Sequence, residues 1–240
     1  MSIPGLEHWI ASPQGRHVLD WEQTTIDATV TDIFGYNALQ LGLPQLDLLA
    51  QNRIPFRQKA GESGRVDAIC DLRQLPFAAN SIDLAVLSHV LEFYDDPHQI
   101  LREVERVLIP EGKIVITGFN PRSMWGVRQK LMRERNEFPW CGDYLSAPRV
   151  RDWLQLLGFE VDRTVFGCHT PPCSTETWLH RWQFMETAGP KSWKGAGGVY
   201  MILAIKRVHG MRLVIPGWKK TPKAAKALTP IAQKESPRGQ

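Results

Sequence analysis

Three short runs, Ile82–Leu87, Lys113–Thr117 and Val199–Ile205, are apolar on both faces of an extended chain. A strand with one wet face alternates apolar and polar side chains. A continuous apolar run needs cover on both sides, which favours a parallel sheet buried between helices. Ala38–Leu43, Asp67–Cys70 and Phe159–Val165 complete the set of candidate strands. Helical patterns lie between them. Pro97–Leu108 places Ile100, Leu101, Val104, Val107 and Leu108 on one face, with Asp96 set to cap it and Pro97 in its first turn. Pro110-Glu111-Gly112 is expected to end this unit and turn the chain into the next strand. Arg149–Leu157 is a second amphipathic helix with Gly158 just beyond it, and another helix begins near His17. No internal repeat is present. The alternation of strand and helix specifies an open α/β sandwich.

With 240 residues, 43% of them hydrophobic, the chain can bury the core of one medium domain, and wholesale disorder is excluded. No run approaches the ~18 apolar residues of a membrane span. The first ten residues carry Glu7 and His8 and lack an apolar signal core. Cys70, Cys141, Cys168 and Cys173 are scattered, which suits reduced thiols in a cytoplasm better than a disulfide framework or a zinc site. The charge is uneven. After His209 seven Lys and Arg face one acid, whereas the remaining 22 basic side chains are outnumbered by 24 acidic ones. The basic character therefore belongs to a tail, 209–240, and not to the domain, 1–208, which argues against a nucleic-acid-binding body.

Three segments stand outside the alternation: an N-terminal helical segment (1–36), a basic and aromatic stretch (120–145) and a second aromatic stretch (167–198). The last two follow strands. They either form a substrate lid at the carboxyl ends of the sheet or pack their aromatics onto the domain. Arg122, Arg128, Arg133 and Arg135 make a basic patch, read as a solvated surface or as recognition of an acidic substrate.

The most specific stretch begins at Asp71-Leu72-Arg73-Gln74-Leu75-Pro76-Phe77 and continues through Ser81-Ile82-Asp83, Ser88-His89-Val90-Leu91-Glu92 and Asp96-Pro97 to Arg106-Val107-Leu108-Ile109-Pro110-Glu111-Gly112. This ordered run resembles the class I S-adenosylmethionine-dependent methyltransferases, in particular the type 11 group. Gly15-Arg16 and Trp21-Glu22 are similar to the opening of some relatives. The resemblance implies a Rossmann-like, mostly parallel seven-stranded sheet with helices on both faces and an antiparallel last strand. It also implies S-adenosylmethionine as methyl donor, a small-molecule acceptor and no metal. Asp71, just past a strand end, would accept from the adenine amine, and Leu72 would cover the ring. Ser88 and His89 would meet the methionine end, and His89 is the one weak candidate for a general base. Methyl transfer from a sulfonium needs mainly alignment of the acceptor, which accounts for the lack of a visible catalytic triad.

The sequence departs from the family where the first strand should end in an acid and a glycine-rich turn. Gln40 takes the acid's place, Gly42 remains, and Pro44 and Leu46 occupy the other glycine positions. Proline fixes φ and removes an N–H. The methionine end is then held by Gly42 or, if that strand is aligned wrongly, by Arg16. Relatives also carry an acid after the second strand. Phe56–Ala60 has none, and Glu62 is nearest. The altered loop leaves a second reading, a catalytically weak binding or regulatory module. An RNA or DNA methyltransferase is a third, weakened by Ser88-His89-Val90-Leu91 in place of the D/N-P-P-Y/F of base-modifying relatives. The tail composition predicts that a chain ending at Arg207 keeps its thermal midpoint within a few degrees. Calorimetry of the shortened chain checks this, and a large drop would show that the tail docks on the domain.

Overall fold

The computed structural model describes residues 4–132, 137–173, 175–182, 184–193 and 195–207. The basic tail, Arg133 and Arg135 lie outside the described residues. Two helices, α1 (Leu6–Ala11) and α2 (Pro13–Val30), precede the sheet. Then follow β1 (Asn37–Leu41), β2 (Phe56–Gly61), β3 (Ala68–Ile69), β4 (Ile82–Ser88), α3 (Pro97–Val107) and β5 (Leu108–Phe119). After these come α4 (Met124–Met132), α5 (Ala147–Leu156), β6 (Phe159–Gly167), α6 (Glu176–Arg181), α7 (Phe184–Ser192) and β7 (Val199–Lys206). The seven strands form one sheet in the order β3-β2-β1-β4-β5-β7-β6. The first five are parallel, and β7 runs antiparallel to both β5 and β6. This is the expected mostly parallel sheet with an antiparallel last strand.

Alternate side chains of each central strand go to opposite faces. Leu39, Leu41, Ala85, Leu87, Ile114 and Ile116 pack under Ile100, Leu101 and Val104 of α3 and Val150 and Leu154 of α5. Ala38, Leu84, Val86 and Val115 pack on the other face against Ile26 and Val30 of α2. Asp96 caps α3 as expected, its carboxylate accepting from Gln99 N–H at 3.0 Å. One strand lies outside the periodic runs, and one local expectation fails. β2 carries no apolar signal, because its first three side chains are exposed; ladders on both of its edges specify it instead. Pro110-Glu111-Gly112 does not stop a unit before the strand but lies inside β5. Pairing steps from Ile82↔Leu108 to Leu84↔Lys113, so the extra residues loop out, with Glu111 at φ 65°.

The 120–145 aromatics build a third core with Trp9 of α1. Trp125 stacks on Phe119 at 5.7 Å and on Trp140 at 5.9 Å between ring centroids. Arg128 lies over Trp140 and donates to the Pro172 carbonyl, so this member of the basic patch is engaged in packing.

The turn after β1 is rebuilt around Gln40. This side chain is buried, and its Nε2 lies within hydrogen-bonding distance of the carbonyls of Gly42 (3.4 Å), Leu43 (3.2 Å) and Leu46 (3.1 Å). Its Oε1 accepts from Leu48 N–H at 3.0 Å. The chain then enters Pro44 with Leu43 held at φ 41°, a left-handed conformation uncommon for leucine. Gly42 sits at φ 81°, and a Cβ there would come within 2.2 Å of the Ser88 carbonyl. Its glycine is thus required by the approach of β1 to the end of β4 as well as by any ligand. Gln40→Glu, which restores the acid of relatives, would set a buried anion against these carbonyls. It is expected to destabilise the domain by about 2 kcal/mol or more in denaturant unfolding. Unchanged stability would show that the amide does not hold the turn.

Candidate cofactor site

At the carboxyl ends of β1, β2 and β4 the sheet opens into a cavity of about 360 Å³. Gly42, Leu43 and Pro44 form one wall, Gly61 to Gly64 a second, and Ser88 to Val90 the floor, with Leu72, Tyr94 and Phe138 around them. The order places β1 between β2 and β4, so the strand order reverses here, where open α/β sheets bind ligands. The volume falls at the small end of the ~300–1,000 Å³ typical of small-molecule sites.

Beneath the floor lies a buried ionic cluster. His89, at φ 51°, directs Nδ1 to Glu92 Oε2 at 2.8 Å. Its Nε2 lies 2.8 Å from Glu22 Oε1 of α2, an ion-pair distance without the in-line angle of a hydrogen bond. All three side chains are shut off from solvent. Glu92 also accepts from Phe119 N–H, and the Ser88 hydroxyl lies 3.4 Å from Glu22 Oε2 and 3.2 Å from Thr117 Oγ1. Burial alone would strip the proton from His89. The Glu22 and Glu92 carboxylates outweigh it and raise its pKa to about 10. Burial raises the Glu92 carboxyl, against the pull of His89. The two carboxylates thus favour the protonated ring, a state that suits an ion-paired structural role better than that of a general base.

Gly42, Leu72, Ser88 and His89 all line the cavity. Asp71 and Arg16 do not. The Asp71 carboxylate closes a turn by accepting from Arg73 N–H at 2.8 Å and from its guanidinium, and these bonds hold its pKa below the usual value. Arg16 is exposed on α2. No described residue of 167–198 lines the cavity. That segment is instead tied to α2. Glu186 lies 3.1 Å from His17 Nε2 and accepts from Thr170 N–H at 2.8 Å. Burial opposes the Glu186 charge, but bonds from His169, His17 and Thr170 hold its carboxyl well below the ordinary range. From 120–145, Phe138 alone among the described residues reaches the cavity.

Sequence reasoning left three acids unassigned. Glu62 follows β2 directly and lines the cavity. Its signal was masked because the polar strand before it ends at Gly61 and not at Ala60. Glu22 and Glu92 had the weak signals of Trp21-Glu22 and the Glu after Val90-Leu91. Neither announces a contact across the fold. A bound nucleoside with a sulfonium fits these features: an apolar wall at Leu72 and Val66, a carboxylate at Glu62, and close backbone approach at Gly42, Gly61 and Gly64.

Residues 43–116 match the methyltransferase domain family of type 11. The protein YafS of Escherichia coli K12 is 32% identical over 155 residues, 64% of this chain and 65% of that protein. A malonyl-[acyl-carrier protein] O-methyltransferase of a Methylovorus species is 30% identical over 98 residues, 40% of this chain and 33% of that protein. The chain thus spans less than two thirds of the curated relatives' lengths. Among solved structures, an S-adenosylmethionine-dependent methyltransferase of Thermotoga maritima aligns with a TM-score of 0.65 at 17% identity, over 84% of this chain and 94% of that one. A geranyl diphosphate methyltransferase in complex with S-adenosylmethionine aligns with a TM-score of 0.55 at 13% identity, over 86% and 97%. Strand order, cavity and the ordered Asp71–Gly112 run agree with the match of residues 43–116, and over that stretch the chain is similar to the S-adenosylmethionine-dependent methyltransferases of the type 11 group.

Proposed function

We propose that the protein transfers a methyl group from S-adenosylmethionine to a neutral or cationic small molecule. The observation that carries this reading is the cavity at the switch of strand order, walled by the stretch that matches the family. When bound, S-adenosylmethionine supplies an electrophilic methyl on a sulfonium. Leu72 covers the adenine, Asp71 accepts from its amine after releasing Arg73, and Glu62 accepts from the ribose hydroxyls. Ser88 and the rebuilt turn at Gly42 hold the amino-acid end.

Acceptor choice follows from the charge of the walls. The carboxylates lining the cavity are Glu7 and Glu62; among the described residues no Lys or Arg lines it, and the charge of the His89 ring in its floor is offset by Glu22 and Glu92. Leu6, Phe93 and Phe138 give that end an apolar surface. Such walls repel phosphate and carboxylate groups, which argues against nucleic acid and against the acidic substrate that the arginine patch suggested. With His89 already protonated, Glu7 and Glu62 are the wall groups able to take a proton from the acceptor. The free cysteines suit a cytoplasmic location.

Calorimetric titration with S-adenosylmethionine and S-adenosylhomocysteine tests the cofactor reading. Both ligands are expected to bind, and Glu62→Ala and Asp71→Ala should each weaken binding roughly tenfold, the effect of losing a hydrogen bond to a charged group. A folded sample that binds neither ligand at millimolar concentration would contradict it.

A further inference from the structure

Resting on that cofactor reading, we propose that Glu22, reaching in from α2, supplies the negative charge that the first strand lacks. Through the Glu22–His89–Glu92 cluster it makes the site favour a cationic sulfonium over the neutral thioether product.

Four observations support this. The position that carries an acid in relatives is Gln40, whose amide is committed to the carbonyls of its own turn. Glu22 is fully buried and sits directly behind the floor, 2.8 Å from His89 Nε2, with Ser88 Oγ 3.4 Å from its second oxygen. Both of those contacts are cavity-lining residues. Its Oε1 meets the His89 ring nitrogen at ion-pair distance and off the in-line angle, so the contact is a charge pair more than a directed hydrogen bond. The cluster sets two carboxylates against one imidazole ring; with both acids ionised and the ring protonated it carries one negative charge in excess, and the ring is the member that lines the cavity, with no Lys or Arg among the other described lining residues. Away from water, such a charge acts over longer distances than on the surface.

The charge difference between substrate and product makes the role measurable. In methyl transfer the acceptor's lone pair forms the new bond to the methyl carbon as the carbon–sulfur bond breaks, the electron pair of that bond stays on sulfur, and the sulfonium becomes a neutral thioether. An anion behind the floor therefore stabilises the donor and not the spent product. Glu22 would be a positioning residue, acting through Ser88 and His89.

The test is calorimetric titration of the full chain and of Glu22→Gln with three probes: S-adenosylmethionine, sinefungin, which carries an ammonium where the sulfonium stands, and S-adenosylhomocysteine. The variant is expected to lose affinity for the two cationic ligands on the order of tenfold relative to the neutral one. Glu22→Asp, which keeps the charge, should retain most of the preference. Equal loss for all three ligands would make Glu22 merely structural, and an unchanged preference would overturn the proposal as well. If Glu22→Gln does not fold, Glu92→Gln makes the same charge change while its amide oxygen remains able to accept from Phe119 N–H. Failure of the unaltered protein to bind any of the three would instead defeat the cofactor reading itself.

Discussion

The site depends on a histidine ring held between two buried carboxylates. Glu22 comes from α2, His89 and Glu92 from the end of β4 and the turn after it, so the cluster ties the N-terminal helices to the centre of the sheet. Removing one partner would leave an uncompensated charge in a dry environment, which is far more costly than losing an exposed pair. The same contact shapes the cavity floor. His89 adopts a left-handed backbone at φ 51°, and its ring packs on Phe119 at 4.2 Å between centroids. Strain of this kind persists only where the surroundings over-determine it.

The second constraint is the exchange of acid for amide at Gln40. An acid accepts N–H groups; an amide also donates, and here it gathers carbonyls around itself. Proline becomes acceptable in such a turn, since the N–H it removes is not needed. The loop lost its family signature but kept the geometry that lets β1 and β4 close on Gly42. Placing the negative charge on α2 and leaving the turn neutral makes one arrangement out of two departures.

Much of the fold was legible because apolar runs on both strand faces admit few architectures. Ile82–Ser88 and Val199–Lys206 emerge where the pattern put them. β2 was not legible from periodicity, since Phe56-Arg57-Gln58 face solvent and their pairing with β1 defines them. In the site, Leu72, Ser88, His89 and Gly42 were found from motif order and do line the cavity, whereas Asp71 turns to Arg73 and Arg16 stays outside. The protonation of His89 could not be read at all. Its neighbour Glu92 is local, but Glu22 is brought to it only by the packing of α2 against the sheet. The aromatics of 120–145 were read with two meanings; Trp125, Phe138 and Trp140 all pack in the third core, and Phe138 also lines the cavity.

The most direct test of the buried cluster is the protonation state of His89, read from its ring nitrogens by nitrogen-15 NMR across a pH series, with His89→Gln identifying the signal. A pKa of about 10 requires both nitrogens to remain protonated from neutral pH to beyond pH ~8.5. A neutral tautomer at pH ~7, with one nitrogen unprotonated, would contradict the charged cluster on which this account of the site rests.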